Sequence, residues 1–223
     1  YSQHRRSFLA GVSPPANLVL VNEEGTPRPR TGGRSTGSGY NSGDVEKTIT
    51  YLLIPHHAPY LYTDDHLMTA FVAAEAYHKA HLNDAVLDPA DFQQRVDAIV
   101  ATAPDDLRGW AREKLSDRNQ KGQTSKLNEL VARSGATGEA ILAACPGFVK
   151  LAIASRNMVA HPGPSGREPG ATYLAVSYGL RWMLRHCLLV DLGLSEDRTA
   201  ELIGASKRFA DEQELIQRWT AAS

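Results

Sequence analysis

From Thr63 onward the apolar residues recur at helical spacing. "HLMTAFVAAEAYHKAHL" sets Leu67, Phe71, Ala74, Tyr77 or His78, and Ala80 or His81 on one side of a 3.6-residue repeat, and Thr63-Asp64-Asp65 can cap it. Asp88-Pro89 opens a second helix through "DFQQRVDAIVATA", because proline suits a first helical turn. "PDDLRGWAREKLSDR" and "SKLNELVAR" predict a third and a fourth, the latter ending at Gly135. "TGEAILAAC" is a short fifth, stopped before Pro146, and "GFVKLAIASRNMVA" is the sixth. A long helix then runs "ATYLAVSYGLRWMLRHCLLVDLG". Ser195 caps "EDRTAELIGA", and "KRFADEQELIQRW" finishes the chain.

Residues 1–63 are patterned differently. "NLVLVNEEG" and "KTITYLLIP" are short, β-branched and apolar, and read as strands. Between them "GTPRPRTGGRSTGSGYNSGD" reads as a loop or linker, and its arginines can touch phosphate or stay solvated. Two strands do not make a stable sheet, so they are expected to pair with other sequence or dock on the helices. The predicted organisation is therefore an N-terminal segment over 1–63, as it stands or as the end of a larger β domain, and a helical domain over 64–223. The chain is mainly α, with a small β-containing N-terminal segment. It opens on Tyr1 rather than Met and is expected to be a fragment or a processed product.

Composition narrows the function classes only a little. Of 223 residues 42% are hydrophobic and 22% charged, and the formal net charge is -1, so the chain is not a general nucleic-acid glove. RNA contact would need a local basic patch or one assembled across subunits. No apolar run of transmembrane length occurs, and a cytoplasmic location is expected. Cys145 and Cys187 lie in apolar helical surroundings and read as buried reduced thiols. "PHHAP" with His66 nearby is a poor metal candidate, because neighbours such as His56 and His57 in an extended segment point to opposite faces. No metal and no cofactor is expected.

"ASRNMVAHPGPSG" is the stretch that a plain bundle does not explain. The sixth helix is apolar almost all round and should be central, yet it carries Arg156, Asn157 and His161 towards its end. Asn157 and His161 are four apart on one face, and Lys150, seven before Asn157, joins that stripe. Pro162 pushes His161 out of the helix, so its ring can enter a cleft. A cation, an amide and an imidazole at one helix end could bind a phosphate and move a proton. Equally, Arg156 could bridge a carboxylate and Asn157 could cap a carbonyl.

Three places together resemble the HEPN superfamily, in its ApeA-like branch linked to prokaryotic antiviral defence. "FVAAEAYHKA" is similar to the family's Glu-bearing early helix. "SRNMVAH" matches its R-N-x3-H motif. "LRWMLRHCLLVDLGLS" resembles its Leu-rich segment with a Leu-Gly-Leu-Ser turn. The resemblance covers about Thr63 to Ser206. It implies a HEPN-type helical bundle, usually a homodimer with a composite site, and a metal-independent endoribonuclease acting on RNA, tRNA included, in a defence or toxin setting. By position Arg156, Asn157 and His161 would be catalytic. Gly163 stands where some HEPN toxins carry a tyrosine that is modified, so that route of control is not expected. Around the motif, Arg181 and Arg185 either extend a phosphate-binding face or belong to a solvated or salt-bridged one. Glu75 is a structural partner or faces the site. His186 reads as packed, and Tyr77, Trp110, Trp182 and Trp219 as core or interface aromatics. The alternative function is a non-catalytic helical module for dimerisation, nucleotide sensing or partner binding.

Overall fold

A computed structural model describes residues 42–58, 60–160 and 170–221. They lie in one compact unit, Asn41–Ser223, and are mainly helical. The helices are α1 (Ser42–His57), α2 (Thr63–His81), α3 (Pro89–Thr102), α4 (Arg108–Leu115), α5 (Gln123–Arg133), α6 (Gly135–Ala144), α7 (Phe148–Ala160), α8 (Gly170–Asp191), α9 (Glu196–Gly204) and α10 (Lys207–Thr220), with a short 3-10 turn Asp105–Leu107 ahead of α4.

The boundaries follow local chemistry. Asp88 accepts from the Ala90 amide at 2.8 Å with Pro89 in the first turn of α3. Ser195 and Ser206 accept from the Arg198 and Phe209 amides at 3.2 and 3.3 Å, capping α9 and α10. α8 is stopped two residues past Asp191 by Gly193, whose φ of 101° lets the Leu194 amide turn back onto the Leu189 carbonyl at 3.1 Å. At α2 the helix already includes Thr63: the cap position is Tyr62, which offers no side-chain bond, and Asp64 and Asp65 face the positive helix end instead.

The apolar face of "KTITYLLIP" packs as a helix, not a strand. α1 lies along α2, with Thr48, Leu52 and Ile54 buried. Tertiary burial here overrides β-branched propensity. "NLVLVNEEG" and most of the Gly/Ser/Arg-rich stretch lie outside the described residues.

α8, not α7, is the core helix. Thirteen of its residues are buried, and α2, α5, α6, α7, α9 and α10 all pack on it. Leu180, Met183 and Leu184 on α8 meet Leu67, Phe71 and Tyr77 of α2 and Phe148 of α7 in one cluster. Each such aliphatic side chain contributes about 1.5–3 kcal/mol by leaving water. α7 buries only Phe148, Ala152 and Ser155 fully, an i, i+4, i+7 stripe, and leaves Met158 43% exposed. Cys145 and Cys187 are buried free thiols, and burial pushes Cys187 up to about 12. α3 and α4 pack on each other and on no other helix to a comparable extent. Their neck is an isolated bridge, Ala85 to Gln120, clamped by both amide atoms of Asn119 on the Leu87 backbone at 2.9 Å.

Two expectations follow. A Cβ on Gly179 would stand 2.5 and 2.6 Å from the Phe148 ring, so Gly179→Ala should cost about 1–3 kcal/mol in urea unfolding. Burial, then Arg181, holds His66 below its ordinary value, and burial does the same to His81 although Asp191 opposes it. Both rings fold neutral. Their contribution is therefore complete above about pH 6.5 and is lost as pH falls through their lowered values. Thermal melts should show a midpoint falling below pH 6.5, with a smaller fall in His66→Gln; equal falls would contradict this.

Candidate active site

α7, described over Phe148–Ala160, carries Arg156 and Asn157 of the motif, and its position is set at one end by Phe148. On the helix, Lys150 and Asn157 are exposed and Arg156 is half-buried. The Arg156 guanidinium donates from Nη1 to Asn157 Oδ1 at 3.5 Å. That leaves the amide nitrogen of Asn157 as a donor. Among the described residues Arg156 makes no ion pair with a carboxylate. His161 lies outside the described residues, as do residues 162–169.

The other residues singled out by sequence fall elsewhere. Glu75 accepts from Gln123 Nε2 at 2.6 Å and so ties α2 to α5; no ion pair joins it to Arg156 among the described residues. Arg181 is not on a solvated face: it is 5% exposed on α8. Its Nη1 donates to His66 Nδ1 at 3.3 Å, and its Nη2 to the His66 carbonyl and Thr69 Oγ1 at 3.1 and 3.3 Å. Burial, with Arg185 adding, brings it down to about 10. Accepting at Nδ1 fixes His66 as the tautomer with hydrogen on Nε2. Arg185 lies 4.5 Å from the Trp182 ring centre, and its value too is lowered, first by burial. Thus both arginines knit the core. His57 is exposed at the end of α1 and His66 sits on α2. Among the described residues no three His, Cys, Asp or Glu side chains are placed to hold a metal ion.

Sequence reasoning missed the polar staples of α2. His78, fully buried, meets Glu129 at 2.9 Å and Asp84 at 3.4 Å, and Lys121 and Lys126 pair with those carboxylates at 2.7 Å. Tyr77 donates to Asp191 Oδ2 at 2.8 Å, and Arg133 reaches Asp191 and Glu196 at 3.0 and 3.4 Å. His186 is packed as expected, between Thr137 at 2.9 Å and Glu196 at 2.8 Å. The available signal was the run Glu75, Tyr77, His78, His81 on a helix whose middle, Ala70–Ala74, is alanine and apolar residues. A cavity of about 390 Å³ opens beside this network, lined by Arg133, Gly135, His186, Glu196 and Asp197 among others; neither Arg156 nor Asn157 lines it. No single described helix is long and apolar enough to cross a membrane.

No curated protein and no solved structure matches the chain. A family model does. Described as Apea-like HEPN, it matches residues 68–198, more than half of the 223 residues. That span takes in Glu75, the whole R-N-x3-H stretch and the turn after α8, the three places where the sequence carries its resemblance. Arg156 beside Asn157, in a helical bundle built around α8, lies within the matched span, and the match covers more than half of the chain: the chain belongs to the Apea-like HEPN family.

Proposed function

We propose that this protein is a metal-independent endoribonuclease of HEPN type that cleaves RNA, tRNA included, through its own 2′-hydroxyl, in an antiviral defence or toxin setting. Family membership supports a nuclease-like or defence module in general. The observation that carries the finer reading is Arg156, half-buried at a helix end, bonded to Asn157 and without a carboxylate partner among the described residues. A structural arginine would have neutralised itself; one that does not is suited to an anion.

The chemistry needs three tasks. A base takes the proton of the 2′-hydroxyl, whose oxygen attacks the adjacent phosphorus. Charge grows on the phosphorus oxygens. The bond from phosphorus to the 5′-oxygen breaks, and an acid returns a proton to that oxygen. In this reading His161 titrates near neutrality and serves as base or acid. Arg156 stabilises the developing charge. Asn157 orients the phosphate through its free amide nitrogen, and Lys150, on the same stripe, offers a second cation. One imidazole cannot be base and acid at the same moment. A homodimer with facing motifs supplies the second, and the partly exposed apolar side of α7, Met158 included, is suited to such a contact. The formal net charge of -1 favours a second reading, a non-catalytic dimerisation, nucleotide-sensing or partner-binding module.

Digestion of total RNA by the purified protein separates the two. His161→Ala and Arg156→Ala should each lower cleavage about 10²-fold or more while their unfolding midpoints stay near wild type. Activity should persist in EDTA, a strand with 2′-deoxy at the cut should resist, and mass spectrometry should find a 2′,3′-cyclic phosphate or its hydrolysis product. Cleavage that stops on chelation or leaves a 5′-phosphate would sink the mechanism.

The composite site makes a separate prediction. Light scattering should give a dimer at micromolar concentration, and a strict monomer that still cleaves would contradict the shared site.

A further inference from the structure

The hairpin of α3 and α4 stands apart from the core. Of α3 only Val96 and Val100 are fully buried, and of α4 nothing is. Such a hairpin gains little from its own packing, yet its two outer faces carry very different chemistry.

Asp97 and Arg112 pair across the hairpin at 2.6 Å and mark one face. Each residue turns a helix by 100°. Ile99 is two steps on from Asp97 and Trp110 two steps before Arg112, so both point to the opposite face. Arg95 and Lys114 are four residues from Ile99 and Trp110 and share that face with them. Arg118 joins them, its Nε donating to the Lys114 carbonyl at 3.4 Å. Arg108, two steps before Trp110, returns to the first face and pairs with Asp105 at 2.7 Å. Asp91, one turn before Arg95, closes the second face at the neck.

The charges are thus sorted. One face holds cations already matched to carboxylates. The other holds Trp110, 61% exposed, and Ile99, 53% exposed, beside three cations. Lys114 touches Glu113 at 2.9 Å on the outer edge; Arg95 and Arg118 make no ion pair among the described residues. One indole and one isoleucine are far less apolar surface than the roughly 800 Å² per partner of a stable protein interface. An exposed aromatic platform flanked by cations fits a different ligand: bases have stackable faces and phosphates carry the matching charge.

We propose that this face binds single-stranded RNA, with Trp110 stacking on an unpaired base and Arg95, Lys114 and Arg118 against backbone phosphates. The proposal rests on the nuclease reading for the identity of the strand, and it makes the α3–α4 hairpin the part that grips substrate while α7 carries the chemistry.

The test uses the whole protein and a short, fully 2′-O-methylated RNA strand, which can bind but not be cut. Fluorescence anisotropy should show Trp110→Ala weakening binding by about 5- to 150-fold, the loss of one stacked base. Trp110→Phe, which keeps a ring, should retain most of the affinity and guards against simple misfolding. Arg95→Gln with Arg118→Gln should flatten the salt dependence by about 1.4 in log–log slope, roughly 0.7 for each phosphate the protein no longer neutralises. Arg108→Gln, on the other face, should bind as wild type does. Equal affinity in wild type and Trp110→Ala overturns the proposal. So does unchanged affinity together with a smaller oligomer by light scattering, which would make the face a contact between protein chains. Because the readout is binding of an uncleavable strand, it is independent of whether His161→Ala abolishes cleavage. Loss of binding in Trp110→Ala with no cleavage by any form would keep this site and remove the nuclease.

Discussion

The placement of the motif helix depends on one close approach. Phe148, the first residue of α7, lies against Gly179 of α8, where even a methyl group would stand 2.5 Å from its ring. Nothing larger than glycine allows the two helices to meet so closely. Ile141 of α6 closes the same spot, 3.2 Å from where that methyl group would be. The α6–α7 corner is therefore seated on α8 where the Phe148 ring meets Gly179, and Arg156 lies two turns along from that contact.

A second layer of constraint is polar and gathers on α2. Glu75, Tyr77 and His78 each bond to a different partner, Gln123, Asp191 and Glu129. Buried networks of this kind cost desolvation and repay it only when every member is matched, so they specify one arrangement more than they add stability. His78 meets that condition in part: its Nε2 bonds to Glu129 at 2.9 Å, while its Nδ1 faces Asp84 at 3.4 Å without a hydrogen bond, and each carboxylate is paired with a lysine. The Asp84 end of that cluster is also the neck of the hairpin, since Asp84 offers its carbonyl to the Lys121 amide at 2.9 Å. The same staple thus fixes both α2 and the base of α3.

Much of the fold was legible because its punctuation is chemical. Asp88-Pro89, Ser195 and Pro146 stop or start helices for reasons that act within a turn of the chain, and the structure agrees with them. What was not legible depends on partners distant in sequence. "KTITYLLIP" has strand composition, and only α2 lying alongside makes it a helix. The sixth helix looked central because its residues are apolar, but hydropathy alone does not say which apolar helix is surrounded; α8 is longer and has helices on every side. Arg181 looked like a surface cation because arginine usually is one. Its burial depends on a carbonyl and an imidazole from α2, which lie 115 residues away in sequence. Arg156 and Asn157 were found because polar residues interrupt an apolar run, a signal that is local. The partners of Glu75, which are not local, were left open between structure and site.

The near-neutral chain and the proposed RNA substrate are compatible once charge is read by face rather than by sum. Arg112 and Arg108 count towards the total but are matched to Asp97 and Asp105, and Lys121 and Lys126 to Glu129 and Asp84. Arg181 counts as well but is enclosed and cannot reach a strand. Pairing thus removes many cations from the field a polymer would meet, each together with a carboxylate, and burial removes Arg181. Among the described residues, the cations left without an ion pair are Lys150 and Arg156 on α7, and Arg95 and Arg118 on the hairpin. Screening confines each to about 10 Å at ordinary ionic strength, so a strand responds to these local groups and not to the net charge of the molecule. A protein arranged in this way would hold RNA at chosen points without attracting nucleic acid along its whole surface.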